Sequence, residues 1–160
     1  MAHRAVTFRG HVSPAGAREI AIRVGGTKLR TRSNENGGFK ERWRAPHAGT
    51  YTARARVAGV PVRSHEVLVN AYRPAAASYY GPGLYGNGLA CGGTLTPGKL
   101  GVANRSLPCG THLTLRYGKR SVRVQVIDRG PFSGNREFDL TAATKAKLGF
   151  PSTGMVLTTR

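Results

Sequence analysis

Apolar residues alternate with polar residues in short runs along most of this chain. The clearest runs are residues 20–24, 51–57 and 122–127. Because successive side chains of a β-strand point to opposite faces, a period of two predicts strands with one buried face. A helical pattern is convincing only from Ala142 to Leu148, with Thr141 as its N-cap. The sequence therefore predicts a mainly β protein with one short helix.

Residues 1–70 have the spacing of a small antiparallel β module. The pair Gly25-Gly26 joins two alternating runs, which predicts a hairpin. The segment Thr31–Phe39, followed by Gly49–Tyr51, resembles bacterial Ig-like repeat modules, and we expect an Ig-like β-sandwich here. Trp43 is in phase with Phe39, so its side chain is expected in the core and not on a sugar-binding surface.

Residues 71–77 combine a proline with small side chains between two patterned regions. Such a composition is typical of a boundary between domains. The sequence predicts a linker at 71–77 and a second β domain over residues 78–160.

The chain has a net charge of +18, which favours an anionic partner. The basic residues are spread through both halves and mostly alternate with apolar residues, as on a solvated sheet face. No zinc-ligand spacing, ribonucleoprotein-type aromatic motif or basic helix accompanies them, so a nucleic-acid-binding module is the least favoured alternative. The five histidines are dispersed, and neither a metal nor a cofactor is predicted.

Asp128 lies where a predicted strand meets a Gly-Pro turn. Counting back by twos from Asp128 reaches three valines, beginning with Val126, which predicts that the carboxylate shares their apolar face. A carboxylate on such a face needs a partner or a function. The other acidic residues after Ser78 are Glu137 and Asp139.

Both cysteines, Cys91 and Cys109, lie in the Gly-rich region between Ser78 and Thr111. We predict a disulfide between them. It would stabilise the fold by roughly 3 kcal/mol and imply an oxidising compartment. The glycines would allow tight turns and a close approach of the backbone to a ligand.

Several short runs in the second half occur in an order and spacing shared with one family. They are Ala77–Gly81, Gly88–Gly92, Ala103–Thr111, Asp128–Phe132 and Asp139–Thr141. The region resembles the double-psi β-barrel domain of rare lipoprotein A proteins, cell-wall proteins that include septal lytic transglycosylases. The resemblance implies a six-stranded barrel over residues 78–160. The run Glu137–Leu140 is also similar to the His-Phe-Asp segment of expansins and related endoglucanases.

The resemblance implies functional aspartates at Asp128 and Asp139. In a lytic transglycosylase the muramyl 6-hydroxyl attacks within the substrate, so one group can act as acid and then as base. Two structural explanations stay open: Asp128 could accept N–H bonds from its own turn, and Asp139 could stabilise the helix start. The residues expected to contact the glycan are Tyr80, Tyr85, Asn104, Arg129 and Phe132.

Two positions depart from the family pattern. Gly93 stands where the transglycosylases have a Glu, and Asn104 stands where they have a His; an amide cannot exchange protons. Three functions follow, in order of preference. The first is binding of peptidoglycan glycan strands with cleavage as a lytic transglycosylase, the second is expansin-like binding without cleavage, and the third is nucleic-acid binding.

The first residues of the chain lack the apolar stretch of a signal peptide, and no apolar run is long enough to cross a membrane. The resemblance nevertheless implies an extracytoplasmic, secreted or wall-associated protein. Its expected partner is peptidoglycan or another anionic cell-wall polysaccharide.

Overall fold

The structure is a computed structural model that describes residues 5–61 and 64–160. The chain divides into two compact units, the first ending at Ala71 and the second spanning Tyr72–Arg160. Each unit has its own hydrophobic core.

The described part of the N-terminal unit contains six strands in two antiparallel sheets. They are β1 (Ala5–His11), β2 (Glu19–Val24), β3 (Thr27–Arg32), β4 (Gly38–Arg44), β5 (Gly49–Val57) and β6 (Val67–Ala71). One sheet pairs β1 with β4, and the other has the order β3-β2-β5-β6. The predicted hairpin at Gly25-Gly26 joins β2 to β3.

Side chains from both sheets meet in shared apolar clusters, as in a β-sandwich. Trp43 of β4 packs with Val24 of β2 and Ala53 of β5, and only 4% of its surface is exposed. Trp43 is therefore a core residue, as its phase with Phe39 predicts. The relation of this sandwich to Ig-like modules stays a prediction.

The second unit is a closed barrel of six strands with one short helix, which confirms the predicted architecture. Its elements are β7 (Arg73–Tyr80), β8 (Val102–Ala103), β9 (His112–Tyr117), β10 (Arg120–Asp128), β11 (Phe138–Thr141), α1 (Ala142–Leu148) and β12 (Gly154–Thr158). The strand order around the barrel is β10-β8-β11-β7-β12-β9. The pairs β10/β8 and β11/β7 are parallel, and the other pairs are antiparallel.

The barrel is filled by the alternating apolar residues of its strands. Val122, Val124 and Val126 of β10 join Phe138 and Leu140 of β11 in one buried cluster. The helix begins and ends as predicted. The Thr141 side chain accepts a hydrogen bond from the Thr144 N–H, and Gly149 ends the helix in the left-handed conformation.

The segment predicted as a linker contains the end of β6, at Ala71, and the first part of β7. Ala75 and Ala77 are buried in the barrel, where β7 pairs with β11 and β12. The small side chains of Ala75 and Ala77 therefore belong to the packed interior of the barrel.

No helix among the described residues is long and apolar enough to span a membrane.

Candidate functional site

A bulge at the end of β10 sets the orientation of Asp128. Val126 pairs with Val102 of β8, and Asp128 pairs with the next residue, Ala103, so Ile127 is an extra residue on β10. Val102 belongs to the barrel core, whereas Ala103 lies on the other face. The prediction that Asp128 shares the face of Val126 is therefore wrong, because the bulge reverses the alternation and turns Asp128 outward.

Asp139 reaches the same outer face from a different strand. It lies between Phe138 and Leu140, which both point into the barrel core. In the strand ladders, Asp128 pairs with Ala103, Ala103 with Asp139, and Asp139 with Ser78. In-register residues of neighbouring strands share a face, so these four form a continuous row across the outside of the barrel.

We call this set of four residues the aspartate row. Neighbouring strands lie about 4.8 Å apart, so the two aspartates are separated by two strand spacings, roughly 10 Å between Cα atoms. Ala103, between them, is buried and carries only a methyl group. The two carboxyl groups therefore flank a floor without bulky side chains.

Asp139 is partly buried and accepts a hydrogen bond from the Ser78 hydroxyl at 2.7 Å. Burial raises the pKa of the Asp139 carboxyl above its ordinary value, and the nearby charge of Asp128 adds to this effect. The Ser78 hydrogen bond and the Arg136 cation act in the opposite direction without reversing the shift. Asp139 thus holds a proton more readily than a solvated aspartate does.

Asp128 is held by backbone groups from two segments. Its Oδ1 accepts hydrogen bonds from the N–H of Arg129 and the N–H of Ala90, both at 2.9 Å. The first bond belongs to the turn that follows β10, as the structural explanation of Asp128 predicts. The second joins Asp128 to the Gly-rich loop, so the carboxylate also fixes that loop against the barrel.

The Tyr80 hydroxyl is directed toward the two aspartates. Burial raises the pKa of Tyr80 well above its ordinary value, with further contributions from Asp128 and Asp139. Asp128 is close enough to this hydroxyl to contribute to the shift. The buried oxygen has no hydrogen-bond partner among the described residues. Tyr79, by contrast, packs on the barrel core with the Lys145 ammonium 4.3 Å from its ring centroid.

Two more of the predicted glycan-contacting aromatics are exposed. Phe132 follows β10 by four residues, and 80% of its surface is accessible. Tyr85 lies in the Gly-rich loop with 39% of its surface accessible. A Cβ added to Gly81 would lie 3.2 Å from the Tyr85 hydroxyl, so the tip of this side chain lies next to the end of β7.

Asn104 and Arg129 mainly organise the loop after β8. The Asn104 Oδ1 accepts from the N–H of Ser106 and of Leu107, and its Nδ2 donates to the Glu137 carbonyl. The Arg129 guanidinium donates to the carbonyls of Asn104 and Leu107. These side chains therefore lie beside the aspartate row with their polar groups engaged by the protein itself.

The predicted disulfide is present. Cys91 is bonded to Cys109 across a sequence separation of 18 residues and joins the Gly-rich loop to the loop after β8. The Cys91 N–H also donates to the carbonyl of Ile127, and the Gly110 N–H to that of Val126. Both loops are thus anchored along the bulged end of β10, next to Asp128.

Gly93, one of the two departures from the family pattern, has a φ of +77°, which favours glycine over a glutamate. Ser78 and Ala103 are site residues that the sequence did not single out. Ser78 lay within a recognised run, but its pairing with Asp139 depends on strand register.

Within residues 5–61 and 64–160, no group of three or more His, Cys, Asp or Glu side chains could hold a metal ion.

The fold and this outer face define a double-psi β-barrel protein whose surface carries two electrostatically coupled aspartates. Residues 76–159 match the family described as lytic transglycolase, and the chain belongs to that family.

Three curated relatives illustrate the likeness. The chain is 37% identical over 106 residues to the probable endolytic peptidoglycan transglycosylase RlpA of Synechocystis sp., covering 64% of this chain and 33% of that protein. It is 38% identical over 80 residues to the Campylobacter jejuni RlpA, covering 49% and 29% of the two chains. It is 40% identical over 81 residues to the Pseudomonas aeruginosa RlpA, covering 49% and 24%. The matched part is thus a third or less of each relative.

Proposed function

We propose that the barrel binds peptidoglycan glycan strands along the aspartate row and cleaves them as a lytic transglycosylase. The observation that carries this proposal is the pairing of Asp128 and Asp139 on one outer face, across the small Ala103. The names of the relatives specify an endolytic peptidoglycan transglycosylase, which supports the substrate class.

We assign the role of proton donor to Asp139 and the role of proton acceptor to Asp128. The raised pKa of Asp139 suits a general acid that protonates the glycosidic oxygen as the C1–O bond breaks. Asp128 is within electrostatic reach and, as a carboxylate, can take the proton of the muramyl 6-hydroxyl as its oxygen bonds to C1. One proton is given and one is received, no water is consumed, and the product is a 1,6-anhydro sugar.

Two polar atoms near the row form no hydrogen bond with the described residues, although the Arg136 Nη2 donates to Ser133. The Tyr80 hydroxyl and the Arg136 Nε are both buried without a hydrogen-bond partner among the described residues. Such groups are costly unless something else satisfies them. We assign the exposed Tyr85 and Phe132 as stacking surfaces at the edges of the bound strand, with Tyr80 and Arg136 as polar residues of the same site.

The disulfide supports an extracytoplasmic location, because such bonds persist in oxidising compartments. A wall-associated location would also bring the chain to the substrate that its relatives are named for.

Expansin-like binding without cleavage is the second candidate. It is favoured by the two departures from the family pattern, because Gly93 supplies no carboxylate and the Asn104 amide, which makes three hydrogen bonds within the protein, cannot exchange protons. In that case the same row would bind the strand, and no bond would be broken.

Mass spectrometry of soluble products separates these candidates. The protein is incubated with purified peptidoglycan and with peptide-free glycan strands, beside Asp139→Asn and Asp128→Asn. The matched control is Glu137→Gln, because Glu137 is the remaining Asp or Glu side chain of the barrel and is paired with Arg73 and not with a residue of the row. We expect anhydro-sugar products from the wild type and the control, with a loss of about 100-fold or more in each aspartate variant.

Products that persist at the wild-type rate in both aspartate variants would rule out this site. Absence of products from the wild type, with retained pull-down on the same strands, would reject cleavage and leave the binder.

A further inference from the structure

The outward face of the larger N-terminal sheet carries a two-dimensional array of cations. Its inward face is apolar, with Ile20, Ile22 and Val24 of β2 buried in the sandwich. The exposed side chains of the opposite face include six basic residues from three adjacent strands. They are Lys28, Arg30 and Arg32 of β3, Arg23 of β2, and Arg54 and Arg56 of β5. We call this surface the cationic face.

Strand register places several of these charges directly beside one another. Arg23 pairs with Lys28 on one side and with Arg54 on the other, so three cations form one row across the sheet. In the next row, Arg30 and Arg56 flank Ala21. Neighbouring strands are about 4.8 Å apart, and residues i and i+2 of one strand, which share a face, are about 6.8 Å apart. The cations therefore repeat at short intervals in both directions.

Few acidic side chains offset this charge within the described part of the sheet. Glu19 pairs with Arg32 across the β2–β3 ladder. Glu66 forms an exposed ion pair with Arg54. The cations Lys28, Arg23, Arg30 and Arg56 have no acidic cross-strand partner in these ladders.

Neither solubility nor core packing requires adjacent cations on this face of the sheet. Like charges placed directly opposite each other destabilise a strand pair, and Thr or Glu would keep the face soluble without that repulsion. The core of the sandwich is formed entirely by the other face, so these side chains are not needed for packing. Their repulsion would be relieved by a bound polyanion.

We propose that the cationic face binds a linear polymer of repeating phosphodiesters without bases, the chemistry of phosphate-rich cell-wall polymers. Five of its six cations are arginines, whose planar guanidinium groups bind phosphate oxygens in pairs. The described residues of this face include no aromatic ring on which nucleic-acid bases could stack. The site is independent of the aspartate row and goes beyond the proposed glycan cleavage.

The test measures binding of defined poly(glycerol phosphate) to the whole protein over a range of salt concentrations. The variant Arg23→Gln/Arg30→Gln/Arg56→Gln is compared with the control Lys119→Gln/Arg120→Gln/Arg123→Gln. The control removes the same charge from exposed positions of the β9–β10 hairpin. Thermal unfolding and circular dichroism verify that both variants stay folded.

Each phosphate contact contributes roughly 0.7–0.9 to the slope of log K against log salt, so the cationic-face variant, which lacks three cations, is expected to lose about two to three units of slope. The control is expected to keep the wild-type slope. Equal slopes for the two variants would overturn the proposal. Tighter binding of polyuridylic acid than of poly(glycerol phosphate), at matched phosphate concentration, would replace it with a nucleic-acid surface. Neither result depends on glycan cleavage, which is read separately from anhydro-sugar products.

Discussion

Asp139 is the residue whose chemistry depends most on its neighbours. Its carboxyl accepts a hydrogen bond from Ser78 and lies within reach of the charges of Arg136 and Asp128. Ser78 and Arg136 favour the carboxylate, while burial and Asp128 favour the protonated form. Because these influences come from different residues, single substitutions can move the pKa in either direction.

We predict opposite pKa shifts for two substitutions, measured by following the Asp139 carboxyl carbon through a pH titration by NMR. Ser78→Ala removes a hydrogen bond to the carboxylate and is expected to raise the Asp139 pKa. Asp128→Asn removes a like charge and is expected to lower it. Shifts of the same sign, or none, would show that the aspartates do not form a coupled pair.

The same pKa has a consequence for stability. The Asp139 carboxyl has an ordinary pKa of 3.8 in the unfolded chain, and its pKa is higher in the folded state. The folded protein therefore retains this proton to a higher pH than the unfolded chain does. The stability contributed by this proton is fully present below the pKa of the unfolded chain and is lost as the pH rises through the folded-state pKa. The unfolding free energies of wild type and Asp139→Asn should therefore diverge over this window, with the wild type becoming relatively less stable as the pH rises.

The bulge of β10 is the element that turns Asp128 toward the site, and Gly101 leaves room for it. A Cβ added at Gly101 would lie 2.3 Å from the Ile127 Cδ1 and 2.5 Å from its Cγ1. The Ile127 side chain is confined in a small cluster with Leu89, Leu95 and Tyr80. It therefore has little freedom to move away.

We predict that Gly101→Ala lowers the free energy of unfolding of the barrel by about 1–3 kcal/mol, as overpacking does elsewhere. Gly98→Ala is the matched control, because a Cβ there would meet no heavy atom within 4 Å. Urea unfolding followed at barrel amide resonances gives both values. Equal stabilities of the two variants would mean that Gly101 does not constrain the bulge.

Much of the fold could be predicted at the level of elements, because alternation, capping and glycine turns are local signals. The helix from Ala142 to Leu148 and the hairpin at Gly25-Gly26 follow from such signals, and both are confirmed. The bulge is not local, since the extra residue on β10 is defined only by its pairing with β8. Alternation alone therefore assigned Asp128 to the wrong face.

Prediction of the site is limited in the same way, because its geometry depends on pairing between strands that are distant in sequence. Asp128 and Asp139 could be named from the sequence because both lie in recognisable runs, Asp128 at the end of β10 and Asp139 within β11. Their position on either side of Ala103 depends on a barrel that brings β10, β8 and β11 together from distant parts of the chain. The three hydrogen bonds of the Asn104 amide also depend on the loop conformation. The sequence alone therefore could not predict that this amide bonds to the protein itself.

At the scale of the whole molecule, the two units carry different kinds of surface. The barrel carries the aspartate row, where two coupled carboxyls lie beside partly buried polar groups. The N-terminal sandwich carries the cationic face, where exposed arginines repeat along strands. We expect a glycan strand to engage the first surface and a phosphate polymer to engage the second.

A backbone chemical-shift titration of the disulfide-bonded whole protein with soluble, peptide-free glycan strands tests directly whether the aspartate row binds glycan. At moderate salt, our account predicts shifts at Ser78, Ala103, Asp128 and Asp139, and at the loops that the disulfide joins. The amides of the N-terminal sandwich should stay unchanged. Shifts confined to that sandwich or to the far turn at Gly118–Lys119, or no shifts at saturating strand concentrations, would contradict the assignment of the aspartate row as the glycan site.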